Sequence, residues 1–353
     1  MITSPLIFDG HSDVLSKLAS TRGVSEVGRF LSGLEGAIDL VKSKEGGFGG
    51  GFFAVWAPWP MDADAKMEEM VQPSHDLPLP DQIDVEGALP TALGQITILL
   101  ELERLGALSA IRSVSDIRDC MVQGRMAAIF HIEGAETIDA DLHSLNMFHA
   151  AGLRSLGPVW SRPNIFGHGV PFKYPSGPNT GPGLTYHGLR LVQRCNALGI
   201  VLDLSHLNEK EFWDVARYSD APLVATHSNA HAICPHARNL TDDQLRTTAE
   251  SDGMVGLSFA AAFLREDGRM LSDVPLTQVL KHLDHLIGIL GEDRVGIGSD
   301  YDGAVVPDDV TGVSMLPRLR DAMETHGYGE ELTKKLCHEN WLHVLEKTGA
   351  RNR

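Results

Sequence analysis

A chain of 353 residues, 43% hydrophobic and 22% charged, can bury a large core, as one big α/β barrel or as two smaller domains. Its formal net charge of -17 repels phosphate backbones and anionic lipid, which argues against nucleic-acid and membrane partners. The cysteines Cys120, Cys195, Cys234 and Cys337 are scattered without a C-x-x-C pair, no apolar run approaches membrane-spanning length, and the N-terminus lacks a basic region leading into a long apolar stretch. Together these predict a soluble, unprocessed, cytoplasmic protein with reduced thiols.

The first informative stretch is the apolar run Pro5-Leu6-Ile7-Phe8, a strand that leads into Asp9-Gly10-His11-Ser12-Asp13. Residues two apart on an extended strand share a face, so His11 and Asp13 converge and offer an imidazole nitrogen and a carboxylate oxygen. A helix begins at Val14. Phe52-Phe53-Ala54-Val55-Trp56 reads as a second buried strand, and residues 58–90, rich in proline and acidic side chains, as a surface excursion after it. The spacing of Leu93, Ile96, Leu99, Leu100, Leu102 and Leu105 predicts a helix over 91–106, with a shorter one over 115–124.

A third strand over 126–132 ends at Glu133-Gly134, again a carboxylate at the downstream end of an apolar run. A helix over 142–151 leads to a fourth strand over 153–158. Residues 159–185, full of proline and glycine, then form a loop long enough to read as an active-site loop. A helix over 187–199 precedes the fifth strand, 200–204, with Ser205-His206 at its end. A helix over 209–218 precedes the sixth, 222–226, with His227 at its end. Thr241-Asp242-Asp243-Gln244 has the form of a capping box and starts the next helix. The seventh strand covers 254–258; after a helix over 275–291 the eighth covers 295–299 and ends in Asp300, and terminal helices follow.

Eight strands alternating with helices require parallel pairing, because each crossover is helix-sized. They fit one (β/α)8 TIM-like barrel domain of the metal-dependent hydrolase type, spanning 1–353. In that fold the loops after the strands build the active site, and the polar residues noted above all lie at those ends. His11, Asp13, Glu133, His206 and His227 are the candidate ligands. Their nitrogen and oxygen donors suit zinc or a similar divalent ion. Five ligands exceed the need of one catalytic zinc but suit two ions sharing a carboxylate, and Glu133 is the natural bridge. Two ions roughly 3.5–4 Å apart can hold a hydroxide between them and polarise a carbonyl, so hydrolysis of an amide or related bond follows. Asp300 is the expected general base and acid, with a further ligand or a helix cap as its other roles and Asp302 as its competitor. Arg238, beside Asn239 in the loop after the sixth strand, can hold a substrate carboxylate with two parallel hydrogen bonds, or lie solvated at the surface.

Taken together these residues resemble the renal (membrane) dipeptidase family of binuclear zinc peptidases. The resemblance rests on Asp9-Gly10-His11-Ser12-Asp13, Ile132-Glu133-Gly134, Asp203-Leu204-Ser205-His206 and Thr226-His227-Ser228. It also rests on the run 237–243 around Arg238, Gly298-Ser299-Asp300-Tyr301-Asp302-Gly303, and Glu339-Asn340-Trp341-Leu342. It implies a barrel with two zinc ions per chain that cleaves dipeptides with free amino and carboxyl ends, tolerates a D-residue on the carboxyl side, and forms a homodimer. On the same resemblance Arg238 and its neighbour Asn239 belong to the substrate site and Asp300 is the acid-base group. One departure stands out. Where the family has a Leu-Thr-His stretch after the fourth strand, this chain has Gly157-Pro158-Val159-Trp160-Ser161-Arg162, and Trp160 takes the place of the histidine that faces the reacting carbonyl. An indole donates one hydrogen bond but carries no positive charge, so His168 in the same loop is the expected replacement. Two other readings fit the motifs: a related amidohydrolase acting on an N-acyl amino acid or a lactam, and a metal-binding relative without catalysis.

Overall fold

The structure, a computed structural model, describes residues 4–21, 27–57 and 68–350. Eight parallel strands dominate it: β1 (Ile7–Ser12), β2 (Phe48–Val55), β3 (Met126–Glu133), β4 (Leu153–Gly157), β5 (Val201–Leu202), β6 (Val224–Ala225), β7 (Met254–Leu257) and β8 (Val295–Ile297). Their order is β5-β4-β3-β2-β1-β8-β7-β6, and a parallel bridge between Asp203 and Val224 joins the two ends, so the sheet closes into the expected (β/α)8 barrel. A short extra strand, Leu108–Ala110, pairs with the start of β3. Each connection carries helix, and the apolar faces of those helices pack on the outside of the barrel.

The barrel interior is filled at the end where the strands start. Phe8, Phe52, Ile129, Val201, Val224 and Met254 pack there with Trp341 from the closing helix Asn340–Ala350. Trp341 is fully buried, its indole N–H donates to the Ile297 carbonyl at 2.9 Å, and its ring lies 5.1 Å from Phe52. Three strands make room for it with glycine: a Cβ on Gly10, Gly256 or Gly296 would stand 2.5, 2.9 or 2.7 Å from an indole atom. The Glu339-Asn340-Trp341-Leu342 stretch is therefore the plug of the barrel, and Asn340 ties it in place through the carbonyls of Glu292 and Val295.

The boundaries move furthest from the sequence expectation in the stretch after β2. The helix expected over 91–106 starts earlier, as Val85–Arg104, with the Asp84 side chain accepting from Gly87 N at 2.8 Å. Pro90 lies inside its second turn rather than ending the excursion, because Pro90 and Glu86 are both exposed and water can take the carbonyl that proline leaves unpaired. Of that excursion, residues 58–67 lie outside the described residues, as do the first three of the N-terminus. The remainder returns to the barrel rather than covering surface at a distance: His75–Asp76 pairs antiparallel with Lys173–Tyr174 from the long loop after β4. The capping box appears as expected, with Thr241 N donating to Gln244 Oε1 at 2.9 Å. Among the described residues no helix is long and apolar enough to cross a membrane.

Candidate metal centre and active site

His11 lies within β1 and Asp13 just past it, Glu133 is the last residue of β3, and His206 and His227 follow β5 and β6. All five are at most 5% exposed. The structure brings them together around one oxygen. Glu133 Oε1 stands 2.9 Å from His206 Nε2, 3.5 Å from His227 Nε2 and 3.6 Å from His11 Nε2. His11 Nε2 is also 3.4 Å from Asp13 Oδ2, and the His206 and His227 Nε2 atoms are 3.2 Å apart. Ligand atoms of Glu133, His206 and His227, and separately of His11, Asp13 and Asp300, lie within 4.8 Å of one another.

The donor set fits a divalent cation. Both ring nitrogens of His11 and Asp13 Oδ1 are buried without a hydrogen-bond partner, which is rare for polar atoms that nothing else satisfies. Burial, reinforced by the charges of Arg238 and His11, holds His206 and His227 well below the usual imidazole range, so both present neutral lone pairs. Burial also pushes Glu133 well above the carboxylate range, against the pull of His11. At His11 burial acts downward, but the charges of Glu133 and Asp13 raise it to about 10. A cation would displace that proton and compensate the buried carboxylates at once.

The candidate ligands are aimed by neighbours that were not foreseen as site residues. Thr226 Oγ1 donates to Asp203 Oδ2 at 2.6 Å and lies 2.8 Å from His227 Nδ1, so it accepts the Nδ1 proton and leaves Nε2 as the lone pair. Ser161 Oγ lies 2.9 Å from His206 Nδ1 and can do the same there. Asp203 is buried and also accepts from Ser205 Oγ and Thr226 N, at 2.6 and 2.8 Å. His131, fully buried beside Asp203 and Ser155, sits under the cluster. It falls two residues before Glu133 on β3, a spacing that already assigns it to the same face.

A cavity of about 160 Å³ opens over the cluster. Asp13, Glu133, His206, Arg238 and Asp300 form its polar part, and Trp56, Trp160, Phe172 and Phe263 its aromatic wall. Met70, Leu77 and Met270 complete the wall. A larger cavity of about 640 Å³ lies elsewhere, at the end of the barrel where the strands start, and Glu346 is the only carboxylate among its lining residues. The candidate site residues converge on the smaller one.

Asp300 sits in a tight turn with a left-handed backbone, φ 64°, and burial pushes its carboxyl to about 6. Its competitor is removed by geometry: Asp302 Oδ1 accepts from Ala37 N at 2.9 Å, and Asp302 does not line the cavity. Arg238 is 3% exposed rather than solvated. Its guanidinium lies over the Phe263 ring at 5.2 Å and donates to the Ser205 carbonyl and, at 3.4 Å, to that of His227, while its Nε has no partner. Burial lowers it to about 10, so it stays charged at neutral pH.

Two of the candidate substrate residues lie off the cavity wall. His168 does not reach the cavity: its backbone amide is bound by Glu211, whose carboxylate also takes Gly169 N at 3.2 Å, and this pins that part of the loop away from the cluster. Asn239 is likewise absent from the lining, because its side-chain amide donates to the Cys234 and Phe263 carbonyls at 2.9 Å and braces the turn behind Arg238. Trp160 does line the cavity, packed 5.1 Å from the Trp56 ring and 5.8 Å from that of His206.

The whole chain, residues 1–353, matches the family described as Membrane dipeptidase (Peptidase family M19). The fold superposes with a TM-score of 0.96 on the crystal structure of a metallo peptidase from Rhodobacter sphaeroides liganded with a phosphinate mimic of the dipeptide L-Ala-D-Ala. The two are 53% identical over 98% of this chain and 100% of that one. The crystal structure of a dipeptidase described as AC, from the same peptidase family, gives a TM-score of 0.95 at 52% identity with the same coverage. A protein of Klebsiella pneumoniae, known as the uncharacterized protein in the pqqA 5' region, is 48% identical over 71% of this chain and 94% of its own length. By the match along its full length and these likenesses, the chain belongs to the membrane dipeptidase family of metallopeptidases.

Proposed function

We propose that the cluster holds two zinc ions, one on His11 and Asp13 and one on His206 and His227, with Glu133 shared between them. The observation that carries this reading is the convergence of three imidazole Nε2 atoms on one Glu133 oxygen, 2.9–3.6 Å away. The ions would supply an activated water and polarise the scissile carbonyl. Asp300 would take a proton from the attacking water and pass it to the leaving nitrogen, a task that its carboxyl, raised to about 6, suits near neutral pH. Arg238 anchors the substrate carboxylate, its charge buried and braced by the Ser205 and His227 carbonyls.

The substrate of this reading is a dipeptide with free amino and carboxyl ends, with a D-residue tolerated on the carboxyl side. The Rhodobacter sphaeroides peptidase liganded with a mimic of L-Ala-D-Ala supports it. The cavity of about 160 Å³ favours short substrates, and its wall of Met70, Leu77, Met270 and four aromatic rings favours uncharged side chains. In this account Trp160 shapes the wall, and polarising the carbonyl, the task of the missing histidine, would fall to ions held by the cluster. Four free, buried thiols support a reducing, cytoplasmic setting. The functional unit is proposed to be a homodimer of single-domain chains.

Zinc-loaded protein assayed on L,L- and L,D-dipeptides and their N-acetyl forms, with and without a chelator, tests the reading. Chelator-sensitive cleavage confined to free-amine dipeptides is expected. Cleavage of the acetylated forms alone would move the chain to the amidohydrolase reading, and no cleavage of any would remove the catalytic one.

A further inference from the structure

Outside the metal cluster the structure holds a second histidine pair, and the catalytic scheme above does not use it. His75 Nε2 and His236 Nε2 lie 3.2 Å apart, and the two residues are 7% and 0% exposed. The other nitrogen of His236, Nδ1, accepts the backbone amide of Arg238 at 3.1 Å. Neither histidine lines the cavity, but each belongs to a segment that does. His75 sits between Met70 and Leu77, and His236 lies two residues before Arg238.

The bonding fixes the protons. Nδ1 of His236 must be a lone pair to accept from Arg238, so its single proton is on Nε2, and His75 Nε2 must then be the acceptor. Without an acceptor at His75, nothing keeps the His236 proton on Nε2. The alternative tautomer would set an Nδ1–H against the Arg238 N–H at a fully buried residue. The packing agrees with a fitted joint: the His236 ring lies 4.7 Å from Phe263, over which the Arg238 guanidinium also sits, and both histidine rings flank Tyr174 at 6.1 and 6.4 Å. Backbone bonds meet at the same place, Leu77 N to the Phe172 carbonyl and Ala237 N to that of Lys173, each at 3.0 Å.

We propose that His75 and His236 are positioning residues: their imidazole–imidazole bond holds the turn that presents Arg238 and fastens the Met70–Leu77 wall to it. This rests on the reading that Arg238 binds the substrate carboxylate. The device acts on substrate binding rather than on the proton transfers, so its loss raises KM and leaves kcat nearly unchanged.

The test is steady-state hydrolysis of a free dipeptide by zinc-loaded enzyme. In His75→Phe the acceptor is lost and KM rises about tenfold, the cost of one buried hydrogen bond, with kcat kept within about twofold. In His75→Gln, whose side-chain oxygen restores an acceptor, KM returns most of the way. From the other side, His236→Leu raises KM more than His236→Asn does, because an Asn side chain accepts the amide two residues on in an Asx turn. Thermal unfolding of each variant shows that it is folded, and should His75→Phe fail to fold, the His236 pair decides. Equal KM in wild type and His75→Phe, equal KM in the two His236 variants, or a fall in kcat without a rise in KM overturns the proposal. Arg238→Met separates it from its premise: if that change leaves KM alone, the carboxylate reading fails, whereas a raised KM there beside an unchanged one in His75→Phe removes the latch alone.

Discussion

The two ends of the barrel use the same strands for opposite purposes. On β1, Phe8 packs against the Trp341 plug while His11, three residues on, faces the candidate metal cluster; on β3, Ile129 belongs to the plug and Glu133 to the cluster; on β8, Gly296 yields space to the indole, and Asp300, just past the strand, lines the cavity. The closed end packs apolar side chains around the hydrogen-bonded indole of Trp341. The open end crowds Glu133 and Asp300 into a buried space where both carboxyls are pushed above their ordinary range. Stability and chemistry are thus separated along the strand axis by a few residues. The closed end supplies the rigidity that lets the open end hold a costly arrangement.

If that division is right, changes at the two ends have different signatures. The largest effect is expected for Glu133→Ala, which removes the oxygen common to three histidines: kcat falls by roughly 10⁴, the several kcal/mol that paired metals supply. The chelated variant should nevertheless unfold no earlier than chelated wild type, because a strained buried carboxylate has gone. Asp300→Asn, measured with metal content unchanged, lowers kcat roughly 10³-fold. Trp341→Ala acts at the other end, costing about 3–5 kcal/mol in denaturant unfolding while kcat per folded enzyme stays near wild type. A large kcat loss in folded Trp341→Ala, or early unfolding of chelated Glu133→Ala, would break the division.

Two smaller effects sharpen it. Ser161→Ala removes the partner of His206 Nδ1 and weakens zinc retention roughly tenfold in a chelator competition, without altering unfolding of the metal-free protein. Glu211, which pins the loop after β4, lies outside the cluster and gives a pH signature. Burial raises it from 4.5 to about 7 although the amides of His168, Asn208 and Gly169 pull it down. Below the lower value the carboxyl is protonated in folded and unfolded chains alike. Between the two values the unfolded chain ionises first, so stability falls as pH rises, by about 3 kcal/mol in all, and levels off above the upper one. Glu211→Gln should flatten that fall in unfolding curves taken from about pH 4 to 8.

What the sequence disclosed follows the same geometry. The strands and the clustering of the five candidate ligands were legible because each candidate is a polar residue at the downstream end of an apolar run, a local pattern. Arg238 and Asp300 were legible through their motifs, but only contact separates Asp300 from Asp302: the bond between Ala37 N and Asp302 joins residues 265 apart in the chain. The position of His168 off the cavity wall was illegible for the same reason, since proximity in a loop says nothing of Glu211, 43 residues away, which binds its amide. Ser161, Asp203 and Thr226 read as ordinary polar residues until the imidazoles they orient are in place. The early start of the helix at Val85 was hidden by Pro90, whose cost is small only because its turn faces water. His75 lay in a stretch that composition assigns to a surface excursion, and nothing local ties it to His236.

The most direct test of the account is anomalous diffraction at the zinc absorption edge from crystals of zinc-loaded protein. Two peaks roughly 3.5–4 Å apart, one on each side of the Glu133 carboxylate and beside the His11–Asp13 and His206–His227 pairs, are the predicted result. A single peak, or peaks that do not have Glu133 between them, would contradict the shared-carboxylate centre on which the proposed chemistry depends.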